Sequence, residues 1–285
     1  LGMAFTVIES RVEGKYGDAF RCEDALVVTP DFAAVIDGAT SKVPLAFDGK
    51  TTGRWAAELL SGVVASLPRE TTLSQFVDRA NACFLSFYRS RHILQKTISE
   101  PEYRLAASVA VYSDARREVW SVGDCRVSVG AEIYSHEKSV DVRLAGKRAS
   151  AIECYLARGG ELDALLVHDV GRMAIADDLR RQLRAQNNPS HDEAYGVIDG
   201  YPPYAPDVRC YQVPAGTSLV LATDGYPLPL PTLSEAERYL DDILREDPFC
   251  FRRYKSTKGK GAQQCSFDDR AYLRLLVSGE PAADV

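Results

Sequence analysis

Three short apolar runs in this chain deliver an aspartate beside a glycine: FAAVIDG ending at Gly38, LVLATDG ending at Gly225, and VWSVGDCR with its Gly123-Asp124 pair. An apolar run that stops at Asp-Gly reads as a buried strand carrying a carboxylate to a turn. One such pair is an ordinary turn former. A buried carboxylate is costly, however, unless it is paired or bound to a metal, and this chain repeats the device at Asp37, Asp124 and Asp224. Two further acidic pairs, Glu23-Asp24 and Asp268-Asp269, adjoin strand-like runs. Five acidic points at strand edges, far apart in sequence, indicate one polynuclear site assembled from distant segments.

The elements that position these acids follow from local pattern. Glu23-Asp24 opens the strand ALVVT, Pro30-Asp31 turns the chain, and FAAVI returns to Asp37. Antiparallel pairing of that hairpin puts the acidic pair beside Asp37. Thr51-Thr52 caps a helix through GRWAAELLSGVVASL, and residues 71–94 carry Phe76, Ala80, Cys83, Phe84 and Phe87 on one helical side. Those aromatics are core rather than a cofactor box. Residues 105–113 and 118–129 read as a strand pair, in which Gly123 marks a bulge that re-aims Asp124. Residues 208–213 and 218–223 read as another strand pair across Pro214-Ala215-Gly216. A helix over 234–246 has a capping-box pattern at Ser234 and Glu237. Residues 132–204 are the least informative, with helices over 145–156 and 163–186, and the Lys255–Gln264 stretch reads as a solvated loop. The order predicts an α+β fold with mainly antiparallel sheets: a single domain over 3–278 with a helical elaboration around 132–204, and a disordered tail at 279–285.

The bulk numbers narrow the function classes. The chain has 285 residues, 46% of them hydrophobic, and a net charge of -6. This length suits one large domain, and the charge argues against a phosphate backbone as the main partner. A negative protein still accepts a phosphorylated substrate where metal ions supply local positive charge. Seven scattered cysteines without zinc-like spacing predict a reducing, cytoplasmic setting. No apolar run is long enough to span a bilayer. The four histidines, His92, His136, His168 and His191, share no ligand spacing and adjoin no acidic motif, which argues against a histidine-based triad.

In content and order these motifs resemble the metal-dependent protein phosphatases of type 2C: CEDALVV, FAAVIDG, VWSVGDCR, LVLATDG and SFDDRAYLRLLV span Glu23 to Val277. The resemblance implies an antiparallel β-sandwich flanked by helices on both faces, in four layers. It also implies hydrolysis of phosphoserine or phosphothreonine, or of a small phosphomonoester, with Mn²⁺ or Mg²⁺. Asp37 would bridge two ions. Glu23 and the Gly38 carbonyl would complete one, Asp224 and Asp268 would bind the other, and Asp124 would serve a weaker third position. Asp24 would hold metal-bound waters. Two such cations clamp a phosphate and acidify a bridging water, which attacks phosphorus in line.

The chain departs from the family pattern at three places. Ala39-Thr40 stands where many members carry His-Gly, so leaving-group protonation falls to water or another residue. Ala19 occupies the usual place of the phosphate-binding arginine, and Arg21 or Lys15 would take that role. Asp269 follows Asp268 where asparagine is usual, and the following strand favours Asp268 as ligand. A catalytically weak or inactive binding module of the same fold is the alternative reading. The acids at 23, 37, 224 and 268 argue against it, and the first two departures argue for it. Substrate choice would lie in residues 41–50, 132–204 and 255–264, where Lys255, Lys258 and Lys260 would guide an anionic substrate.

Overall fold

The structure, a computed structural model, describes residues 5–279. In chain order it runs β1 (Phe5–Glu13), β2 (Asp24–Val28), β3 (Phe32–Gly38), β4 (Ala46–Phe47), β5 (Lys50–Thr51), α1 (Thr52–Ala65), α2 (Leu73–Ser90) and α3 (Leu94–Ser99). Then follow β6 (Ala107–Ser113), β7 (Glu118–Val122), β8 (Arg126–Val129), β9 (Glu132–Tyr134), α4 (Ser139–Ala157), α5 (Val170–Ala174) and α6 (Ala176–Arg181). The chain closes with β10 (Val208–Gln212), β11 (Ser218–Ala222), α7 (Leu233–Glu246) and β12 (Arg270–Val277). Two five-stranded sheets have the orders β1-β12-β11-β8-β9 and β10-β7-β6-β3-β2, and β4 pairs with β5. Every strand pairing is antiparallel.

Alternation along the strands builds the layers. In β3, Phe32, Ala34 and Ile36 pack against Leu60 and Val64 of α1 and Phe76 and Phe84 of α2. The intervening Ala33 and Val35 face the other sheet, against Leu221, Leu273 and Leu275. A strand buried on both faces reads as an unbroken apolar run, which is why FAAVI carries no polar residue before Asp37. Trp120 lies between Phe76 and Phe32, with ring centroids 5.9 and 6.0 Å away. On the far side, Val220, Ala222 and Tyr272 cluster with Ala236 of α7. The layers are therefore α1/α2, sheet, sheet and α7: the helix-flanked antiparallel sandwich that the resemblance to type 2C phosphatases implies. The segment between β9 and β10 contributes to two satellite clusters, one around Leu144, Ile175 and Leu179, the other joining its Ile152 and Leu165 to Phe249 and Phe251 after α7.

Several local expectations are corrected. Residues 118–129 are not one strand. Gly123, at φ +94°, turns the chain between β7 of one sheet and β8 of the other, and a Cβ there would lie 2.3 Å from Ser108 Oγ. Likewise β10 and β11 do not pair. β10 is the edge strand beside β7, whereas β11 lies between β12 and β8. The half-exposed VRCYQ suits an edge and the buried SLVLA a sheet interior. Helix α7 is capped by Thr232 with Glu235, two residues earlier than expected, because Glu237 is engaged by Arg270 and Tyr226. The second long helix stops at Ser90, and the 163–186 segment breaks into short helices. The tail expected at 279–285 lies outside the described residues but for Gly279.

Candidate metal and phosphate site

Asp24 pairs directly with Asp37 across the β2–β3 hairpin. By strand alternation Asp37 shares the inner face of β3 with Ala33 and Val35. Asp124 stands at the β7–β8 corner, Asp224 just after β11, and Asp268-Asp269 just before β12. All these ends lie at one end of the sandwich. Glu23, Asp24, Asp37, Asp124, Asp224 and Asp268 accordingly line a single cavity of about 390 Å³. Gly38 also lines it. No side chain fits at that position, since a Cβ would lie 2.1 Å from the Gly53 carbonyl oxygen and 2.6 Å from that of Glu23.

Neighbours hold some of these acids individually. The Thr51 hydroxyl, at the N-cap of α1, donates to Glu23 Oε1 at 2.5 Å, and the Thr40 hydroxyl donates to Glu23 Oε2. Thr40 thus stands on Glu23 at the place where the family pattern has His-Gly. Asp124 accepts from Ser108 at 2.5 Å through Oδ1 and pairs with Lys138 at 2.9 Å through Oδ2. Burial pushes the Asp124 carboxyl up, but Lys138 and Ser108 outweigh it and hold it below the ordinary value. Asp269 is consumed by main-chain donors: Lys15 N at 2.8 Å and Glu23 N at 3.1 Å. Asp268 instead pairs with Lys258 and lies 3.7 Å from Lys15 Nζ.

Three acids are left in mutual repulsion. Burial, then the charges of Asp224 and Asp24, push Asp37 well above the usual carboxylate range. Asp24 is raised by burial and by Asp268, Asp269 and Asp224, and its Oδ2 is buried without a hydrogen-bond partner. Asp224 is pushed up to about 6 by burial and by Asp268 and Asp124. Hard carboxylate oxygens short of positive charge are the donor set that Mg²⁺ and Mn²⁺ take, so Asp24, Asp37 and Asp224 fit such a cation. Among the described residues, no three His, Cys, Asp or Glu side chains are already drawn together as a ligand set. Lys258 and Lys15 stand among the acids and supply part of the missing charge.

Of the residues singled out in the sequence, Lys15 is brought to the site, 3.2 Å from Asp269 and 4.0 Å from Glu23. Arg21 is not. Its guanidinium is half-exposed, bonds Asp18 and stacks on Tyr16 at 4.1 Å. An Asp18 three residues before it offers a nearer partner than the cavity acids. The Lys255–Gln264 stretch is also more than a solvated loop. The buried Arg148 guanidinium binds the carbonyls of Phe249, Cys250 and Ser256, anchoring the segment that carries Lys258. Sequence reasoning missed Lys42, Lys138 and Arg172, which line the same cavity. Lys42 follows the first Asp-Gly by only four residues, the one signal that would have placed it near the site. His136 also lines the cavity, bonded to Tyr211 at 2.8 Å.

No protein-family model and no curated protein matches the chain. Among solved structures it is similar to the Mycobacterium tuberculosis serine/threonine phosphatase PstP/Ppp, at 14% identity over 96% of this chain and 99% of that one, with a TM-score of 0.49. It is similar to RsbX in complex with magnesium at 12% identity, covering 96% of this chain and all 100% of that one, with a TM-score of 0.46. Its similarity to the serine/threonine phosphatase Stp1 from Staphylococcus aureus is 12% identity over 96% of each chain, with a TM-score of 0.45. The likeness is one of overall fold.

Proposed function

We propose that this chain is a metal-dependent phosphomonoester hydrolase whose substrates are phosphoserine or phosphothreonine side chains in proteins. The observation that carries the reading is the meeting of Asp24, Asp37, Asp224 and Asp268, from strand ends of both sheets, in one cavity that Lys15, Lys42, Arg172 and Lys258 also line. Asp37 and Asp224, with Asp24 behind them, would hold Mn²⁺ or Mg²⁺; Glu23, the Gly38 carbonyl, Asp268 and Asp124 are the further oxygens within the same cavity. Bound there, the cations would supply charge neutralisation for a phosphate and acidify a water.

The chain's own residues do the rest. The strand ends fix the carboxylates on rigid backbone, and Gly38 allows Glu23 and Gly53 to close around it. Lys15 and Lys258 sit where they can attract a phosphate dianion. Lys258 is a poor proton donor: burial lowers its pKa, but Asp268 and Asp224 more than reverse this and hold the ammonium charged. With Thr40 in the place of the family histidine, the leaving oxygen takes its proton from water. No helix among the described residues is long and apolar enough to cross a membrane. A cytoplasmic setting belongs to the same proposal, supported by free thiols, several of them exposed.

One observation favours the second reading, a weak or inactive binding module: Lys258 and Lys15 already neutralise Asp268. Hydrolysis of p-nitrophenyl phosphate with Mn²⁺, Mg²⁺ or EDTA, beside Asp37→Asn, separates the two. The hydrolase turns over with metal, stops in EDTA and loses activity in the variant. Metal uptake without turnover supports the binding module. Metal-dependent turnover undiminished in Asp37→Asn overturns the assignment of the site.

A further inference from the structure

The same cavity gathers cations from separate segments: Lys42 from the β3–β4 loop, Lys138 before α4, Arg172 from α5 and Lys258 from the loop before β12. Two of the four are spoken for, since Lys138 pairs with Asp124 and Lys258 with Asp268. The other two are not. Among the described residues Lys42 and Arg172 form no ion pair, and the one side-chain bond of Arg172 goes to the Thr257 carbonyl at 2.7 Å. Asp169, three residues before Arg172, gives one carboxylate oxygen to the fully buried Arg148 and the other to the Arg172 main-chain N–H. The acid acting on Lys42 is Asp141, whose Oδ1 also accepts from Gln182 at 3.3 Å.

Two half-buried cations lining one cavity lose hydration, and the arrangement is favourable when an anion lies between them. The strain is visible on Lys42, which burial and then Arg172 and Lys258 bring down to about 8. We propose that Lys42 and Arg172 form an oxyanion subsite, built by the helical elaboration against the β3–β4 loop, that binds an anionic group of the substrate. The subsite rests on the hydrolase reading for its role as a substrate subsite, but its anion chemistry does not require metal. It accounts for two features together: the absence of an arginine at the usual place before the acidic pair, and the presence of the elaboration over the cavity. The oxyanion has two possible sources, the scissile phosphate itself or a second acidic group beside it on the substrate.

The direct test is calorimetric titration of the full chain with inorganic phosphate in EDTA, with the wild type beside Lys42→Ala, Arg172→Ala and Lys42→Arg, and circular dichroism to verify folding. Loss of either cation should weaken phosphate binding about tenfold, the size of one charge-assisted hydrogen bond, while Lys42→Arg keeps it. Absence of phosphate binding by the wild type, or equal binding by the two alanine variants, overturns the subsite. Failure of the hydrolase reading looks different: phosphate binding that depends on Lys42 and Arg172, without metal-dependent turnover. In an active enzyme, a raised KM of Lys42→Ala for p-nitrophenyl phosphate identifies the scissile phosphate as the ligand. A KM raised only for phosphopeptides with an adjacent acidic residue identifies a second anion, and a KM unchanged for both overturns the proposal.

Discussion

Asp224→Asn should make the metal-free protein more stable at neutral pH. Burial, Asp268 and Asp124 raise the Asp224 carboxyl from its ordinary 3.8 to about 6. A carboxyl whose folded value lies above its unfolded value binds a proton more tightly in the folded state. Folding is therefore opposed by its ionisation, and stability falls as pH rises from about 4 to about 6. The difference is just over two pH units at about 1.4 kcal/mol each, or about 3 kcal/mol of strain fully present at pH 7.5. The amide is nearly isosteric and carries no charge, so the variant should gain about 2–3 kcal/mol at pH 7.5 in EDTA. At pH 4 the carboxyl is already protonated in the folded state, and the gain should shrink below about 1 kcal/mol. Urea unfolding of both proteins at the two pH values measures this directly. Saturating Mn²⁺ should reverse the order, because the wild type gains binding energy that the variant lacks. Equal stabilities at pH 7.5 in EDTA, or the same gain at both pH values, would refute the picture of acids in uncompensated repulsion.

Three further perturbations test the surrounding structure. Arg148→Met should cost about 3–5 kcal/mol in urea unfolding, since the fully buried guanidinium bonds Asp169 and three main-chain carbonyls, and it should expose residues 249–262 to limited proteolysis. Gly38→Ala should destabilise by about 1–3 kcal/mol, because the added Cβ meets main-chain atoms that cannot yield, and a thermal melt reads the loss. Lys258→Met should tighten Mn²⁺ binding severalfold by calorimetry, since the ammonium competes for Asp268; weaker binding would show that Lys258 supports the cation site.

The hairpin that sets Asp24 against Asp37 was legible in the sequence because its cause is local: a short turn between two apolar runs fixes the register. The antiparallel α+β character followed from the strand pairs and their short turns, and the four-layer sandwich was what the resemblance to the type 2C phosphatases implied. Pairings between distant strands were not legible. SLVLA and VRCYQ are neighbours in sequence, yet only their burial, a tertiary property, sends them to different sheets. The capping box of α7 was misplaced by two residues because two overlapping patterns, Thr232 with Glu235 and Ser234 with Glu237, are equal in sequence. Arg270 decides between them by engaging Glu237.

The cations of the cavity were its least legible part, and their origin shows how the cavity is made. An acidic motif announces itself because a strand and a turn fix the carboxylate within a few residues. Lys42, Lys138 and Arg172 carry no such local signature, since each is an ordinary basic residue; Lys258 alone stood in a stretch that the sequence marked, the basic Lys255–Gln264 loop. Their meeting depends on Arg148, whose bonds to residues 249–256 hold the Lys258 loop, and on the Leu144–Ile175–Leu179 cluster, which packs α4 against the helices bearing Arg172. The acids are thus positioned by the sandwich, and Lys138 and Arg172 by the elaboration, with Lys42 and Lys258 on loops beside it. A chain that kept the sandwich and lost the elaboration would keep the carboxylates but lose Lys138 and Arg172. Anion recognition and cation binding should therefore be separable by mutation, with substitutions around Arg148 altering the first while leaving Asp37 and Asp224 in place.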